Sequence, residues 1–451
     1  MDKQRSSFTG KLGFIMAAAG SAVGLGNIWR FPYLAAQYGG GIFLLVYLVL
    51  AVTFGFALMT AEIAIGRKTG LSAIGAFKFL SKKWAFVGYL AAIVPIIILP
   101  YYSVIGGWVA KFFVAFVSGH GAEAADGTYF GDFITSVWEP IGWFSLFVGL
   151  TAVIVWFGVE KGIEKVSKIM MPVLVLLSVF IAIYALCMDG AIDGLLYYVV
   201  PDFDHFSVKT VLAAMGQLFY SMSLAMGIMI TYGSYMKKEE SIESSVRHIE
   251  IFDTGIAFLA GLMIIPSIFA VGDPDQLLSK GPGLMFIVLP QLFDKMAGGH
   301  IVGAAFFVMV LFAALTSSIS LMETVVSVFM DKFKWSRKTT CAIVFVGCIL
   351  LGLPSSLGNG VWSHITVMGF AFLDFFDFIS NSVLMPVVAL LTCVFVGYVL
   401  KPKSIADEVM ASGHGFKSRT LFDIVIKYFA PVCIILILVT SVLDVLGIFK
   451  I

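Results

Sequence analysis

Charge is what this chain has least of. Asp, Glu, Lys and Arg make up 13% of its 451 residues, while 60% are hydrophobic. Soluble domains carry about 25% charged residues, so an ordinary soluble reading is excluded. The signs nearly cancel to a net charge of +1, so the balance points to neither nucleic acid nor an anionic surface. Cysteine is also scarce. Cys187, Cys341, Cys348, Cys393 and Cys433 lie in or beside apolar runs with no CxxC pair, which argues against a disulfide scaffold or a zinc site. The six histidines sit in or next to loops, and none forms an HExxH. With no Ser/His or paired-Asp catalytic pattern either, the chain is read as a non-enzyme. Long polar stretches are missing too. The longest connections, 118–140, 188–208 and 272–298, are short, acidic and turn-rich, so function must reside within the membrane part.

What the chain does have is about 270 apolar residues, enough for about eleven spans of roughly 20 residues. Apolar segments run near 12–36, 42–66, 86–117, 141–158, 167–187, 209–235, 249–271, 299–330, 340–354, 365–399 and 420–447. The polar, basic start lacks a small-residue cleavage site after its apolar run, so the first segment is read as a retained span, not a signal peptide. With the N-terminus inside, 23 of the 29 Lys and Arg residues fall on the inner side, and the outer loops are acidic. The positive-inside rule therefore puts the N-terminus in the cytoplasm, and an odd number of spans puts Ile451 outside.

Two spans are interrupted near their middles. The first carries Gly20, Gly24 and Gly26 with Ser21 and Asn27, and the sixth reads Gln217-Leu218-Phe219-Tyr220-Ser221-Met222-Ser223 through Gly227. Each glycine costs about 1 kcal/mol in a helix interior, so three within seven residues predict local unwinding. Both breaks open a five-helix block. Five is odd, so the second block, 209–400, is inverted relative to the first, 1–187; an outer loop, 188–208, separates them, and 401–451 supplies a cytoplasmic linker and an eleventh helix. Inverted repeats with interrupted first helices point to a midplane site in secondary transporters. Half-helix N-termini there suit a carboxylate, and free carbonyls suit a hard cation such as Na⁺. The competing reading is a packing kink lined with small residues.

Arg30, Glu62, Asp253, Glu323, Asp374 and Asp377 are ionisable residues inside spans, each costly in hydrocarbon and a functional candidate for that reason. Arg30 and Asp377 are placed to pair across an outer vestibule, unless Arg30 is an interfacial snorkelling side chain. Asp253, with Ser221 and Ser223, offers hard oxygen ligands, or else caps the seventh helix. Thr316, Ser317 and Ser318 are cation ligands or hydroxyls bonded back along their helix. Glu62 and Glu323 are also readable as buried structural acids.

The run from Gly20 to Tyr33, followed by Gly39-Gly40-Gly41 and Tyr47, closely resembles the signature of the neurotransmitter:sodium symporter family. Ile230-Thr231-Tyr232-Gly233-Ser234-Tyr235, Leu315-Thr316-Ser317-Ser318 and Asp374-Phe375-Phe376-Asp377 match later family motifs in order. The resemblance covers nearly the whole chain and is greatest to the eleven-helix bacterial amino-acid transporters. It implies an all-α membrane fold with helices 1 and 6 unwound at the midplane. One sodium site would use the Ala22 carbonyl, Asn27, Ser221 and Asp253 with the substrate carboxylate. A second would use carbonyls of Gly20, Val23 and Ala313 with the hydroxyls of Thr316 and Ser317. Substrate would be held by Ala22, Leu25, Gly26, Tyr102, Tyr220 and Ser221, and its side chain by Ile98, Ser223, Met226, Ser317, Ser320 and Leu321. Arg30, Asp377, Tyr102 and Tyr220 resemble an outer gate, and Arg5, Asp331 and Tyr235 an inner one.

Three departures from the family pattern stand out. Phe8 occupies a position where Trp is common. Asp253 replaces a common Asn while Ala257 lacks the acid or Ser of anion compensation, which implies that chloride is not required. Ala225 stands where relatives that take large aromatic substrates have Gly, which leans the expectation towards medium-sized or aliphatic substrates. The resulting expectation is a plasma-membrane symporter that uses Na⁺, two ions by the resemblance, to import a neutral, hydrophobic L-amino acid by alternating access. The rival reading is a proton-coupled exchanger on the same fold, with Asp253 titrating. The expected partners are the amino acid and the bilayer.

Overall fold

A computed structural model describes residues 7–271 and 282–445. Among these residues all named elements are helical. α1, Lys11–Ala22, and α2, Gly26–Gln37, form a pair bent by 55°. There follow α3, Gly41–Thr69; α4, Lys82–Val117; α5, Trp138–Trp156; and α6, Val159–Leu186. The sixth expected span is split into α7, Val208–Ser221, and α8, Ile228–Gly233. α9, Ile242–Val271; α10, Gly299–Phe333; α11, Arg337–Leu357; α12, Phe372–Leu400; and α13, Arg419–Thr440, complete the bundle. Nine of these helices are long and apolar enough to cross a membrane, ten with the bent pair counted as one span. The halves α7 and α8, at 14 and 6 residues, are each too short to cross alone.

The expected segments and the helices agree to within a few residues at most ends. α9 starts earlier, at Ile242, so Asp253 lies well inside the helix and the N-cap reading fails. α12 starts later, at Phe372, after a turn-rich stretch. The outer connections are less loop-like than the sequence reading held. They contain the helices Gly121–Ala124, Tyr129–Thr135, Ala191–Val199 and Leu289–Lys295. Phe286, in the helical turn Leu284–Val288 that runs straight into the last of these, is 1% exposed and stacks on Phe130 with ring centroids 4.9 Å apart. Its ring also meets Trp108, Phe112, Phe307 and Trp29, so this connection folds into the outer side of the bundle. The apolar run Leu284–Leu289 is the signal: six such residues are far too few to span a bilayer but can be buried within the protein.

α4 packs along α10 and α5, and α9 lies against α6, α1 and α3. α3 and α8 cross at two facing glycines. A Cβ on Gly66 would stand 1.9 Å from the Ile230 carbonyl oxygen, and one on Gly233 would stand 2.4 Å from that of Ile63. The obstacles are backbone atoms, so neither helix can yield by a side-chain rotation. This crossing fixes α8 against α3 just beyond the break in the sixth span. Gly66→Ala is expected to destabilise the protein by about 1–3 kcal/mol through overpacking. Gly347→Ala, whose Cβ meets nothing within 4 Å, is the matched control and should melt at or slightly above wild type. Thermal denaturation of the two variants in detergent compares them directly.

Candidate functional site

The first break begins where Val23 leaves the helix with φ −75° and ψ 104°. The second runs from Met222 to Gly227 and holds Ser223 at φ 53°, Ala225 at φ 61° and Gly227 at φ 71°. Only Gly227 suits that region without strain; each of the other two costs on the order of 1–3 kcal/mol. Hydrogen bonds offset the strain. The Ser223 hydroxyl donates to the Ser21 carbonyl at 2.8 Å, and the Ala225 N–H donates to Glu62 Oε1 at 2.8 Å. Gln217 Nε2 donates to the Gly26 carbonyl at 2.9 Å, tying one break to the other.

Between the breaks lies a cavity of about 30 Å³ lined by α1, α2, α4, α7 and α10 together with the second break. All twelve expected substrate residues border it: Ala22, Leu25, Gly26, Ile98, Tyr102, Tyr220, Ser221, Ser223, Met226, Ser317, Ser320 and Leu321. By the measure that gives one water about 10–15 Å³, it has room for two or three waters. The walls must part to admit anything larger. A Cβ on Gly26 would stand 2.3 Å from the Tyr220 ring, so glycine is what lets that ring close over the break. The Leu25 N–H points to the Tyr102 hydroxyl at 3.5 Å. Ala225 does not border the cavity; its N–H faces Glu62, so its methyl takes no volume from the cavity wall.

On one side of the cavity Asp253 is fully buried. Its Oδ1 accepts from Ser221 Oγ at 2.6 Å and from Asn27 Nδ2 at 2.7 Å, and its Oδ2 accepts from the Tyr47 hydroxyl at 3.0 Å. Carboxylate, hydroxyl and amide are all hard donors, and a 180° turn of the Asn27 amide exchanges its nitrogen for its oxygen. Tyr47, the last residue of the family signature, brings its hydroxyl within reach of both Ser221 and Asp253, a link that the motif alone does not reveal. On the other side, Ser317 Oγ lies 3.5 Å from the Gly20 carbonyl oxygen and 3.3 Å from that of Val23. Thr316 Oγ1 is bonded back to the carbonyls of Phe312 and Ala313, at 2.9 and 3.1 Å. The five residues expected at a second sodium site are thus neighbours, with the Thr316 hydroxyl beside the Ala313 carbonyl. Among the described residues no group of three or more His, Cys, Asp or Glu gathers to hold a metal ion.

Arg30 and Asp377 border a second cavity, of about 200 Å³, with Tyr220. They do not form the direct pair the sequence left open, because no ion pair within 4.0 Å joins them. The Arg30 guanidinium instead lies 5.4 Å from the Tyr220 ring centroid. Asp377 Oδ1 accepts from Asn381 Nδ2 at 2.6 Å and from the Tyr101 hydroxyl at 3.2 Å. Tyr101 and Asn381 carried no motif signal, since their link to Asp377 depends on how α4 meets α12. At the inner end, Arg5 lies outside the described residues. Asp331 Oδ2 accepts the Ser72 N–H at 2.8 Å, and the Tyr235 hydroxyl donates to Glu323 Oε1 at 2.7 Å. Phe8 is buried, with its ring edge-on to Phe14, Tyr232 and Tyr235, so the smaller aromatic still plugs this end.

A bundle of apolar helices that converge on a buried cavity at two helix breaks is the architecture of a multi-pass membrane transporter. The profile of the sodium:neurotransmitter symporter family matches residues 5–121 and 139–448, and the chain belongs to that family of sodium-coupled transporters. It is similar to an uncharacterized sodium-dependent transporter of Bacillus subtilis, YhdH, at 34% identity over 435 residues and 95% of each chain. A second uncharacterized sodium-dependent transporter, from Haemophilus influenzae, is 32% identical over 457 residues, with 98% of this chain and 99% of that one covered. The crystal structure of MhsT in complex with L-phenylalanine matches with a TM-score of 0.88 and 39% identity, over 97% of this chain and all of that one.

Glu323 belongs to the scaffold. It is fully buried and held in a fork by Arg337, at 2.6 and 2.8 Å. Removing one partner of a buried pair leaves an uncompensated charge, so Arg337→Ala should destabilise by about 3–5 kcal/mol. Arg337→Ala combined with Glu323→Gln should recover part of that loss. Denaturation of both variants in detergent measures the difference.

Proposed function

We propose that this protein imports a neutral, hydrophobic L-amino acid through the cell membrane, driven by the inward Na⁺ gradient and by alternating access. In this reading the N-terminus is cytoplasmic and the C-terminus outside. The blocks 1–187 and 209–400 are inverted repeats, 188–208 is an outer loop, and 401–451 carries the linker and last helix. The observation that carries the reading is the cavity: twelve residues drawn from separate parts of the chain border one space between two helix breaks, with Asp253 and Asn27 on one flank and Ser317 on the other.

The physical roles follow from that arrangement. The substrate carboxylate would take the free N–H groups of Leu25 and Gly26 and the Tyr102 hydroxyl, where a half-helix N-terminus favours an anion. One Na⁺ would be shared between that carboxylate and Ala22, Asn27, Ser221 and Asp253. A second would sit among Gly20, Val23, Ala313, Thr316 and Ser317. Ile98, Ser223, Met226, Ser320 and Leu321 would surround the side chain, and the apolar members favour a hydrophobic one. No bond is made or broken. A shared carboxylate makes the two binding events reciprocal, each strengthening the other by the same factor. Tyr102 and Tyr220 with Arg30 and Asp377 would close the outer path, and Arg5, Asp331 and Tyr235 the inner one. That MhsT was crystallised with L-phenylalanine supports an amino acid as the substrate class.

A thermal-shift screen of the twenty amino acids in Na⁺ and in choline tests this directly. A hydrophobic amino acid should raise the melting point in Na⁺ only, equivalent to about 2.7 kcal/mol at a hundredfold excess over Kd. Equal stabilisation in choline would overturn sodium coupling. Because Asp253 carries its own negative charge into the proposed sodium site, replacing chloride by gluconate should leave uptake unchanged. Loss of uptake would contradict that assignment.

A further inference from the structure

Five glutamates are buried: Glu62, Glu164, Glu250, Glu323 and Glu408. Four have a basic partner. Glu164 pairs with Lys168 at 2.6 Å, Glu250 with Arg247 at 3.1 Å, Glu323 with Arg337 at 2.6 Å, and Glu408 with Arg67 at 2.9 Å. Glu62 has none among the described residues. It is 1% exposed and seven residues inside the end of α3, a depth of about 10 Å at 1.5 Å per residue. Its Oε1 accepts the Ala225 N–H, and its Oε2 is buried without any hydrogen-bond partner.

The surroundings offer no other compensation. On the elements that contact α3, Arg247 is spent on Glu250, and Asp253 on Asn27, Ser221 and Tyr47. Lys78, Asp193, Lys209, Glu243, His248, Lys403, Asp407, Arg419, Asp423 and Lys427, on the contacting helices, make no ion pair with Glu62, and Glu408 is held by Arg67. Tyr232 of α8 faces Glu323 and Tyr235 instead. The field of Glu62 reaches the buried Cys393 thiol of α12, and a thiol supplies no compensating positive charge. An ionised Glu62 would thus be an uncompensated charge in an apolar surround, which proteins avoid by pairing or neutralisation.

We propose that Glu62 is a proton-binding site of the transport cycle: in this closed state its carboxyl carries a proton, which it exchanges with water when the break in the sixth span rearranges. The step is an acid dissociation, with the proton leaving Oε2 as water enters beside Ala225 and the negative charge remaining on the carboxylate. Proton affinity then differs between closed and open states, and any ligand with differential affinity shifts their balance. Alkaline conditions favour the open arrangement and acid conditions the closed one. The site is separate from Asp253, whose carboxylate has three donors and borders the proposed cation. The inference uses the symport reading only for the movement of the break.

Infrared difference spectroscopy of the full-length chain in liposomes, recorded on switching choline to Na⁺, tests it. Wild type should show a protonated-carboxyl carbonyl band that shifts on ¹³C-glutamate labelling and is lost in Glu62→Gln. The Na⁺ switch should change that band and move protons to or from a pH dye in weakly buffered medium, and Glu62→Gln should abolish both responses. The labelling experiment needs only wild type, so it stands even if the variant fails to fold. A wild-type spectrum without a glutamate-shifted band, or a proton exchange that persists in Glu62→Gln, would overturn the proposal. A labelled band that is present but indifferent to Na⁺ would overturn its role in the cycle. Sodium-dependent melting in the same samples separates that result from a failure of sodium coupling itself.

Discussion

In a hydrocarbon surround, a backbone N–H or C=O that leaves its helix must find a partner within the protein, and that requirement shapes this molecule. Most of the chain meets it by staying helical. At Val23–Leu25 and Met222–Gly227 it does not: the Val23 carbonyl is met by Ser317 and the Ala225 N–H by Glu62, while Ser223 and Gln217 bond the carbonyls of Ser21 and Gly26 that flank the first break. Each break is therefore held by the other. The same N–H and carbonyl groups that leave the helix at the breaks also make them a place where an anion and a cation can bind side by side.

Everything near the cavity serves that juxtaposition. Gly26 lets the Tyr220 ring lie against the backbone, and facing glycines on α3 and α8 bring Glu62 within reach of Ala225. Asp253 draws Asn27, Ser221 and Tyr47 to one carboxylate, so α2, α3, α7 and α9 meet at a single point. Because these contacts join elements far apart in sequence, a movement of one break is felt on four helices. That is the physical basis on which binding in the cavity can be felt beyond it.

The apolar spans were legible in the sequence because hydropathy is a local property, and lipid exposure enforces it over about 20 residues. The residues around the cavity were legible through glycines and hydroxyls where a spanning helix should have none, sharpened by family motifs. What stayed hidden depends on distant geometry. Tyr101 and Asn381 look like ordinary helix residues until α4 and α12 place them beside Asp377. Arg30 and Asp377 invite pairing by sign, yet Arg30 stands over Tyr220. The run Leu284–Leu289 reads as part of a loop because it is too short to span, although the aromatic partners of Phe286 bury it. Glu62 was marked as ionisable, but nothing local distinguished it from four other glutamates with basic partners.

The central claim is that substrate and Na⁺ meet at the two breaks and share one carboxylate. Its most direct measurement is the Na⁺ affinity of the purified protein by calorimetric titration, with and without a saturating amino acid that stabilises it. The account predicts that the amino acid tightens Na⁺ by the same factor by which Na⁺ tightens the amino acid, and that Asp253→Ala reduces this factor towards one. Equal Na⁺ affinity in the presence and absence of the amino acid would contradict it.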